Sequence, residues 1–311
     1  MILFLKYKEV NLMQKSKSAT GIVFSLLGGI FWGLSGSCGQ YLFTYHNVSS
    51  DWLVPIRMLS TGIILLCISA MKHRGNIFDV WRGKSNFIRM GAFTLFGLIM
   101  CQYSYFTAIE LSDAGTATVL QYLSPAMILV FTCFKNKKLP MAAEVIAIIL
   151  AIGGTFVIAT GGKVSSLAVS PAALFWGIIA GVFLACYSLI PVPLLKIADT
   201  PTVLGWGMLI GGAALMPVFR PWESMPGITF SLVAALAGVI ILGTVIAYTF
   251  YLEGIHLIGA TKASIISSIE PVSATVISAL WLGTDFSFAD IIGFAMIIST
   301  IFIISFHKSR A

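Results

Sequence analysis

The stretch SIISSIEPVSATVI, residues 264 to 277, places a glutamate and a proline next to each other inside an apolar run. The run extends from Ala260 to Leu282, which is about the length that a helix needs to cross a bilayer. Glu270 lies about ten residues from either end of it, roughly 15 Å from each surface at 1.5 Å per residue. A charge at that depth costs on the order of 3 kcal/mol, so Glu270 is expected to be protonated, paired or in contact with water.

The composition of the whole chain is that of an integral membrane protein. Of its 311 residues 58% are hydrophobic and only 10% are charged, and the mean hydropathy is +0.96, whereas soluble domains contain about 25% charged residues. A scan for apolar stretches gives candidate spans at residues 19–44, 51–71, 88–109, 113–134, 142–160, 170–195, 201–219, 229–252, 260–282 and 288–306. We therefore predict an all-α integral membrane protein with ten transmembrane helices.

The basic residues are distributed unevenly between the two ends of these spans. If the N-terminus is cytoplasmic, 16 of the 19 Lys and Arg residues fall in cytoplasmic segments, Lys163 and Arg220 fall outside, and Arg57 lies within a span. Because basic residues concentrate on the cytoplasmic side, both termini are predicted to be cytoplasmic in a multi-pass protein of the cytoplasmic membrane. The same distribution explains the basic pI of about 9.2, so we expect lipid and no nucleic acid as a partner.

The second half of the chain repeats features of the first at a constant offset of 146 residues. The pairs superposed by this offset are Pro125 and Pro271, Tyr105 and Tyr251, Gly97 and Gly243, and Glu144 and Asp290. We therefore predict a cytoplasmic N-terminal segment at 1–18, a first five-helix repeat at 19–160 and a second at 170–306. Because five is odd, the second repeat enters the membrane from the opposite side, so the two repeats are inverted.

Inverted repeats suggest a mechanism. Two halves related by an axis in the membrane plane can exchange conformations, which opens a central cavity first to one side and then to the other. The structural alternative is a duplication that only builds a helix bundle. Pro125 and Pro271, near the middle of spans 4 and 9, are predicted helix breaks, and paired breaks point to the binding region of a transporter. A purely structural kink is the alternative for each proline.

Polar and aromatic residues within the spans are the candidate substrate-binding residues. They are Glu270, Gln121, Tyr122, Tyr103, Trp32, Gln40 and Arg57. Together they predict an amphipathic cavity for a small organic molecule. Glu270 is expected to bind a proton or a cationic part of the substrate, with a structural hydrogen bond from a neutral carboxyl group as the alternative.

Arg57 lies some six residues into its span from the predicted outer surface. Its long side chain is expected to snorkel to that surface or to pair with Glu110 or Asp113. The alternative is that Arg57 holds an anionic group of the substrate.

The two stretches AIELSDAGTATVLQYLSPAMILV (residues 108 to 130) and GIHLIGATKASIISSIEPVSATVI (residues 254 to 277) resemble the two EamA repeats of the drug/metabolite transporter superfamily. The resemblance covers residues 19 to 306. It implies a ten-helix bundle in two inverted halves around a central cavity, and movement of small metabolites, often outward. One departure is that many members have a glutamate 13 residues after each proline, where this chain has Lys138 and Thr284. Any role of that acid is therefore not carried over.

From these features we expect a secondary transporter that exports a small organic metabolite, such as an amino acid or a related compound, by alternating access. The small-molecule substrate and the bilayer are its expected partners, and protons are a further candidate. A passive channel for small solutes is the alternative in the same class.

A membrane enzyme is the alternative in another class. GLSG at residues 33 to 36 resembles the motif of rhomboid-type intramembrane serine proteases, with Ser35 as the nucleophile. That chemistry needs a base close to the serine, yet His46, His73, His256 and His307 all fall in loops or at span ends. The sequence also has no phosphate-binding loop, no metal-ligand cluster and no C-x-x-C motif. We therefore expect no enzymatic activity, no metal and no cofactor.

Overall fold

The structure, a computed structural model, describes residues 2–72, 77–112, 114–137, 139–160, 170–282 and 288–306. Within these ranges the chain forms helices and no strand. The helices are α1 (Ile2–His46), α2 (Ser50–Lys72), α3 (Lys84–Leu111), α4 (Ala114–Gln121), α5 (Ser124–Asn136), α6 (Ala142–Thr160), α7 (Pro171–Leu189), α8 (Thr200–Phe219), α9 (Phe230–Ile258), α10 (Ala260–Ile266), α11 (Glu270–Leu282) and α12 (Phe288–Phe306). The predicted all-α class is confirmed for the described residues.

Seven segments among the described residues are long and apolar enough to cross a membrane. They are Lys17–His46, Ser50–Met71, Lys84–Leu111, Pro171–Lys196, Thr200–Phe219, Phe230–Ile258 and Ala260–Trp281. Shorter apolar helical stretches lie in α5, α6 and α12. A multi-pass membrane protein is thus confirmed, while the number of ten spans stays a prediction. Helix α1 begins at Ile2, so the predicted N-terminal segment continues into the first span without a break.

Large apolar side chains cover the outer surface of the bundle. Exposed examples from different helices are Ile63, Phe131, Ile149, Phe175, Ile210, Val233 and Phe302. A soluble monomer rarely exposes so much contiguous apolar surface, whereas lipid tails are a suitable environment for it. The outer faces of the helices therefore fit a bilayer.

The most extensive helix contacts pair α1 with α9, α2 with α8, α3 with α7, and α6 with α12. Small residues bring these helices close together. A Cβ atom on Gly62 of α2 would collide with the backbone of Leu209 in α8, and one on Gly28 of α1 would lie 3.2 Å from the carbonyl oxygen of Ala247 in α9. Such close backbone approach between glycine-containing helices is typical of membrane proteins.

Two helical segments are interrupted at equivalent positions. Helix α4 ends at Gln121 and α5 begins at Ser124, while α10 ends at Ile266 and α11 begins at Glu270 after a 3₁₀ turn. The offset of 146 residues superposes the start of α5 on the start of α11. Pro125 and Pro271 are the second residues of the helices that follow, where the missing N–H breaks no helical hydrogen bond. Each break therefore lies just before its proline.

Helices α3 and α9 each contain a π-helical segment, at Phe93–Ile99 and Gly238–Ile246. The offset of 146 residues places Phe93 one residue inside the second segment, so the two lie at equivalent positions in the two halves. π-Helical segments are rare and often mark functional sites. Both segments border the centre of the bundle, where α3 and α9 pack against α7 and α1.

Candidate functional site

A small cavity of about 20 Å³ lies in the centre of the bundle. Its lining residues come from α1, α2, α3, α4, α7, α9 and α11, and they are Trp32, Ser35, Arg57, Cys101, Tyr105, Phe106, Gln121, Leu184, Tyr248 and Glu270. Each of them is at most 9% exposed. A cavity of this size holds about one water molecule, so this conformation is closed around the site.

Glu270 lies on the cavity wall at the start of α11, 2% exposed. Its Oε1 accepts a hydrogen bond from the Tyr105 hydroxyl and its Oε2 one from the Tyr122 hydroxyl, each at 3.3 Å. Tyr122 also lies 2.5 Å from the Ser267 carbonyl oxygen, inside the break that precedes α11. A tyrosine hydroxyl has one hydrogen, so Tyr122 cannot donate to both groups at once. The carboxyl group and the broken helix thus compete for the same donor.

Arg57 was expected to reach the outer surface, but it is buried in the bundle, with 1% of its surface exposed. Its Nε donates to Thr244 Oγ1 at 3.1 Å, and its guanidinium carbon lies 4.5 Å from the ring centroid of Phe106. Glu110 instead accepts a hydrogen bond from the Ser50 N–H at 2.8 Å. The predicted snorkelling or pairing with Glu110 is therefore wrong, because α3 and α9 cover Arg57 on the core side of α2. Asp113 lies outside the described residues.

Aromatic rings form one side of the cavity. The Trp32 ring lies 5.1 Å from that of Tyr248 and 4.6 Å from that of Tyr251, measured between centroids. The Tyr251 and Ser188 hydroxyls share a hydrogen bond of 2.8 Å. Sequence reasoning used Tyr251 and its equivalent Tyr105 only to align the repeats. Their repetition at equivalent positions of the two halves was the signal that could have drawn attention to them.

The structure brings four of the predicted binding residues to the central cavity, Glu270, Gln121, Trp32 and Arg57, with Tyr122 in contact with Glu270. It places two others elsewhere. Tyr103 is half-buried, donates to Asp51 at 2.9 Å and stacks on Phe219. Gln40 lines a separate cavity of about 420 Å³ together with Glu110, and its Oε1 accepts from the Ala114 N–H. Tyr103 and Gln40 therefore do not contact the central site in this conformation.

Ser35 also lines the central cavity, 3% exposed. Its hydroxyl has no protein hydrogen-bond partner, so within the described residues the contact between nucleophile and base that the protease alternative requires is not formed. His73 and His307 lie outside the described residues, as do Lys138 and Thr284. No cluster of three or more metal-ligating side chains occurs in the part of the chain that the structure describes.

The sequence model of the EamA-like transporter family matches residues 19–160 and again residues 171–306. The chain belongs to this family. The resemblance of the two quoted stretches to EamA repeats is thereby confirmed, and the chain is a membrane transporter. The buried cavity, with Glu270 and Arg57 on its wall, is the candidate binding site of this EamA-like transporter.

Several known proteins similar to this EamA-like transporter are also described as transporters. The chain is 35% identical over 290 residues to the "uncharacterized inner membrane transporter YicL" of Salmonella typhimurium, which covers 93% of this chain and 96% of that protein. It is 23% identical to the "uncharacterized transporter YyaM" of Bacillus subtilis, over 89% of this chain and 91% of that one. A solved crystal structure superposes with a TM-score of 0.73 over 93% of this chain and 96% of that chain, at 19% identity, which shows a shared fold.

Proposed function

We propose that this EamA-like protein is a secondary transporter that exports a small organic metabolite, such as an amino acid or a related compound, by alternating access. The observation that carries the proposal is the buried cavity beside two equivalent helix breaks. A carboxyl group, a guanidinium group, an amide and several aromatic rings surround it. Such a mixed lining suits a small molecule with both polar and apolar parts.

The division into two inverted five-helix repeats is part of this proposal. It is supported by the equivalent helix breaks, by the equivalent π segments and by the two separate matches of the family model. Helices α6 and α12 have 19 residues each, which corresponds to roughly 28 Å at 1.5 Å per residue. With these two helices and the interrupted segment formed by α4 and α5, the seven longer segments make ten spans.

The small volume of the cavity favours a carrier over a passive channel. A channel conducts through a continuous path, whereas a carrier closes around its binding site between its two open states. All ten lining residues of this cavity are buried. The metabolite would therefore enter only after the helices around the site have moved apart.

The membrane and the direction of transport are proposed on separate grounds. YicL is described as an inner membrane transporter, and the excess of basic residues in the predicted inside segments orients both termini toward the cytoplasm. Export is the direction implied by the family resemblance.

Counterflow in proteoliposomes tests the carrier proposal. A metabolite-efflux screen in overexpressing cells first selects the solute, and liposomes are then loaded with an excess of it before the labelled form is added outside. A carrier is expected to concentrate the label inside transiently, because outward and inward steps use the same site. Label that only equilibrates, without an overshoot, would instead identify a channel. Liposomes without protein are the control.

A further inference from the structure

Within the described residues, three hydrogen-bonding groups on side chains that line the central cavity have no hydrogen-bond partner. They are Arg57 Nη1, Trp32 Nε1 and Ser35 Oγ, on side chains that are 1%, 7% and 3% exposed. The guanidinium and indole groups can only donate, and the serine hydroxyl can donate as well. Buried donors are almost always paired with a protein group, a water or a ligand, so three unpaired donors on side chains that line one cavity are available to a group that accepts hydrogen bonds.

The position of Arg57 is fixed by its other contacts. Thr244 donates its hydroxyl hydrogen to the Val239 carbonyl at 2.7 Å, which leaves a lone pair to accept from Arg57 Nε at 3.1 Å. Thr244 and Val239 are five residues apart within the π segment of α9, so this segment sets the position of the threonine. The guanidinium also lies over the face of the Phe106 ring, 4.5 Å from its centroid. Arg57 Nη1 is thus held in place before a ligand binds.

The charge of Arg57 is not balanced by an ion pair within the described residues. The ion pairs in that part of the chain join Arg82 to Asp79 and Arg220 to Glu223, all of them exposed. Glu270 lies on the same cavity wall, but its carboxyl oxygens contact the hydroxyls of two tyrosines. A buried cation without a partner is unfavourable, and an anionic ligand would remove that penalty.

We propose that Arg57, Trp32 and Ser35 bind a carboxylate group of the transported solute, so that the transporter selects small carboxylates over their neutral amides. Planar carboxylates match the fork of guanidinium donors. A doubly charged phosphate fits less well, because the single arginine shares this small cavity with the acidic side chain of Glu270. The inference rests on the proposed function, since it assigns the chemical group of the solute that the carrier recognises.

The test is a binding screen on the purified full-length protein in lipid nanodiscs. The panel contains the twenty standard amino acids, acetate and lactate, the carboxamide of each of these acids, and inorganic phosphate. Binding is measured as the concentration-dependent rise in melting temperature. We expect each binder to be a carboxylate, its amide to bind at least about tenfold more weakly, and R57Q to lose this preference. The matched control is R82Q, which removes an exposed arginine and is expected to keep it.

Two further variants keep the test informative if R57Q does not fold. W32F and S35A each remove one donor and are expected to weaken carboxylate binding about fivefold, with little change for the amide. Equal binding of acids and amides, or phosphate as the tightest ligand, would overturn the carboxylate assignment and leave the transport function intact. If no compound binds and no solute shows counterflow, the proposed function itself fails, and this inference fails with it.

Discussion

At the scale of single residues, the central question is why Glu270 is kept in an apolar helix. The Tyr122 hydroxyl lies between its carboxyl group and the Ser267 carbonyl, which also accepts the Glu270 N–H in the 3₁₀ turn of the break. An ionised Glu270 would attract the tyrosine hydrogen, and a neutral one would release it to Ser267. The charge of Glu270 is thus coupled to the hydrogen bonding of the break between α10 and α11.

This coupling makes a prediction for the variant E270Q. Glutamine keeps the size of the side chain but cannot gain or lose a proton in this pH range. If proton binding at Glu270 drives the cycle, E270Q is expected to lose uptake driven by a pH gradient and to retain counterflow. Proteoliposomes with and without an imposed gradient provide the measurement.

The control for this experiment is E253Q, which changes a glutamate of α9 that does not line the central cavity. Arg57, Tyr105, Tyr122 and Tyr248 also face or surround Glu270 and remain unchanged in both variants. Gradient dependence in E270Q equal to that of the wild type would leave a structural hydrogen bond as the role of Glu270.

At the scale of helices, hydropathy predicted most elements because a helix in lipid must satisfy its own backbone and present an apolar surface. The prolines located the two interruptions approximately. The structure places them just before Pro125 and Pro271, since proline fits the first turn of a new helix better than the interior of a continuous one. The π segments were not predicted, because one wider turn changes neither composition nor hydropathy.

The close packing of α1 against the break predicts the effect of G33A. A Cβ atom at Gly33 would lie 2.7 Å from the Glu270 carbonyl oxygen and 2.6 Å from the Ala274 nitrogen, and backbone atoms cannot rotate away. We expect a lower melting temperature and a large loss of counterflow. The matched control is G91A in α3, where nothing lies within 4 Å of the added atom. It is expected to be neutral or more stable by about 0.5 to 1 kcal/mol. Equal behaviour of the two variants would show that the contact at Gly33 has no role.

At the scale of the whole molecule, the candidate site was predicted only in part. Depth within a span can be read from the sequence, but the direction in which a side chain points depends on which helices surround it. Tyr103 and Arg57 illustrate this, because both lie in predicted spans. Tyr103 contacts Asp51 near a helix end, whereas Arg57 lies under α3 and α9.

The predicted orientation in the membrane is tested by cysteine labelling in a variant without the five native cysteines. S224C and S85C each replace an exposed serine, the first in a predicted outside loop and the second in a predicted inside loop. A third variant, S309C, lies at the C-terminus that is predicted to be cytoplasmic. In intact cells an impermeant maleimide is expected to label S224C, and to label S85C and S309C only after lysis. The reverse pattern would invert the proposed topology.

The matching π segments of α3 and α9 also bear on the history of the chain. A π turn closes with one residue more than an α turn, so the insertion of a single residue into an α-helix can produce it. If both halves descend from one ancestral unit, a single insertion before gene duplication accounts for both segments. The later divergence of the halves, with Ser124 where the other half has Glu270, then took place on a backbone whose wider turns were already present.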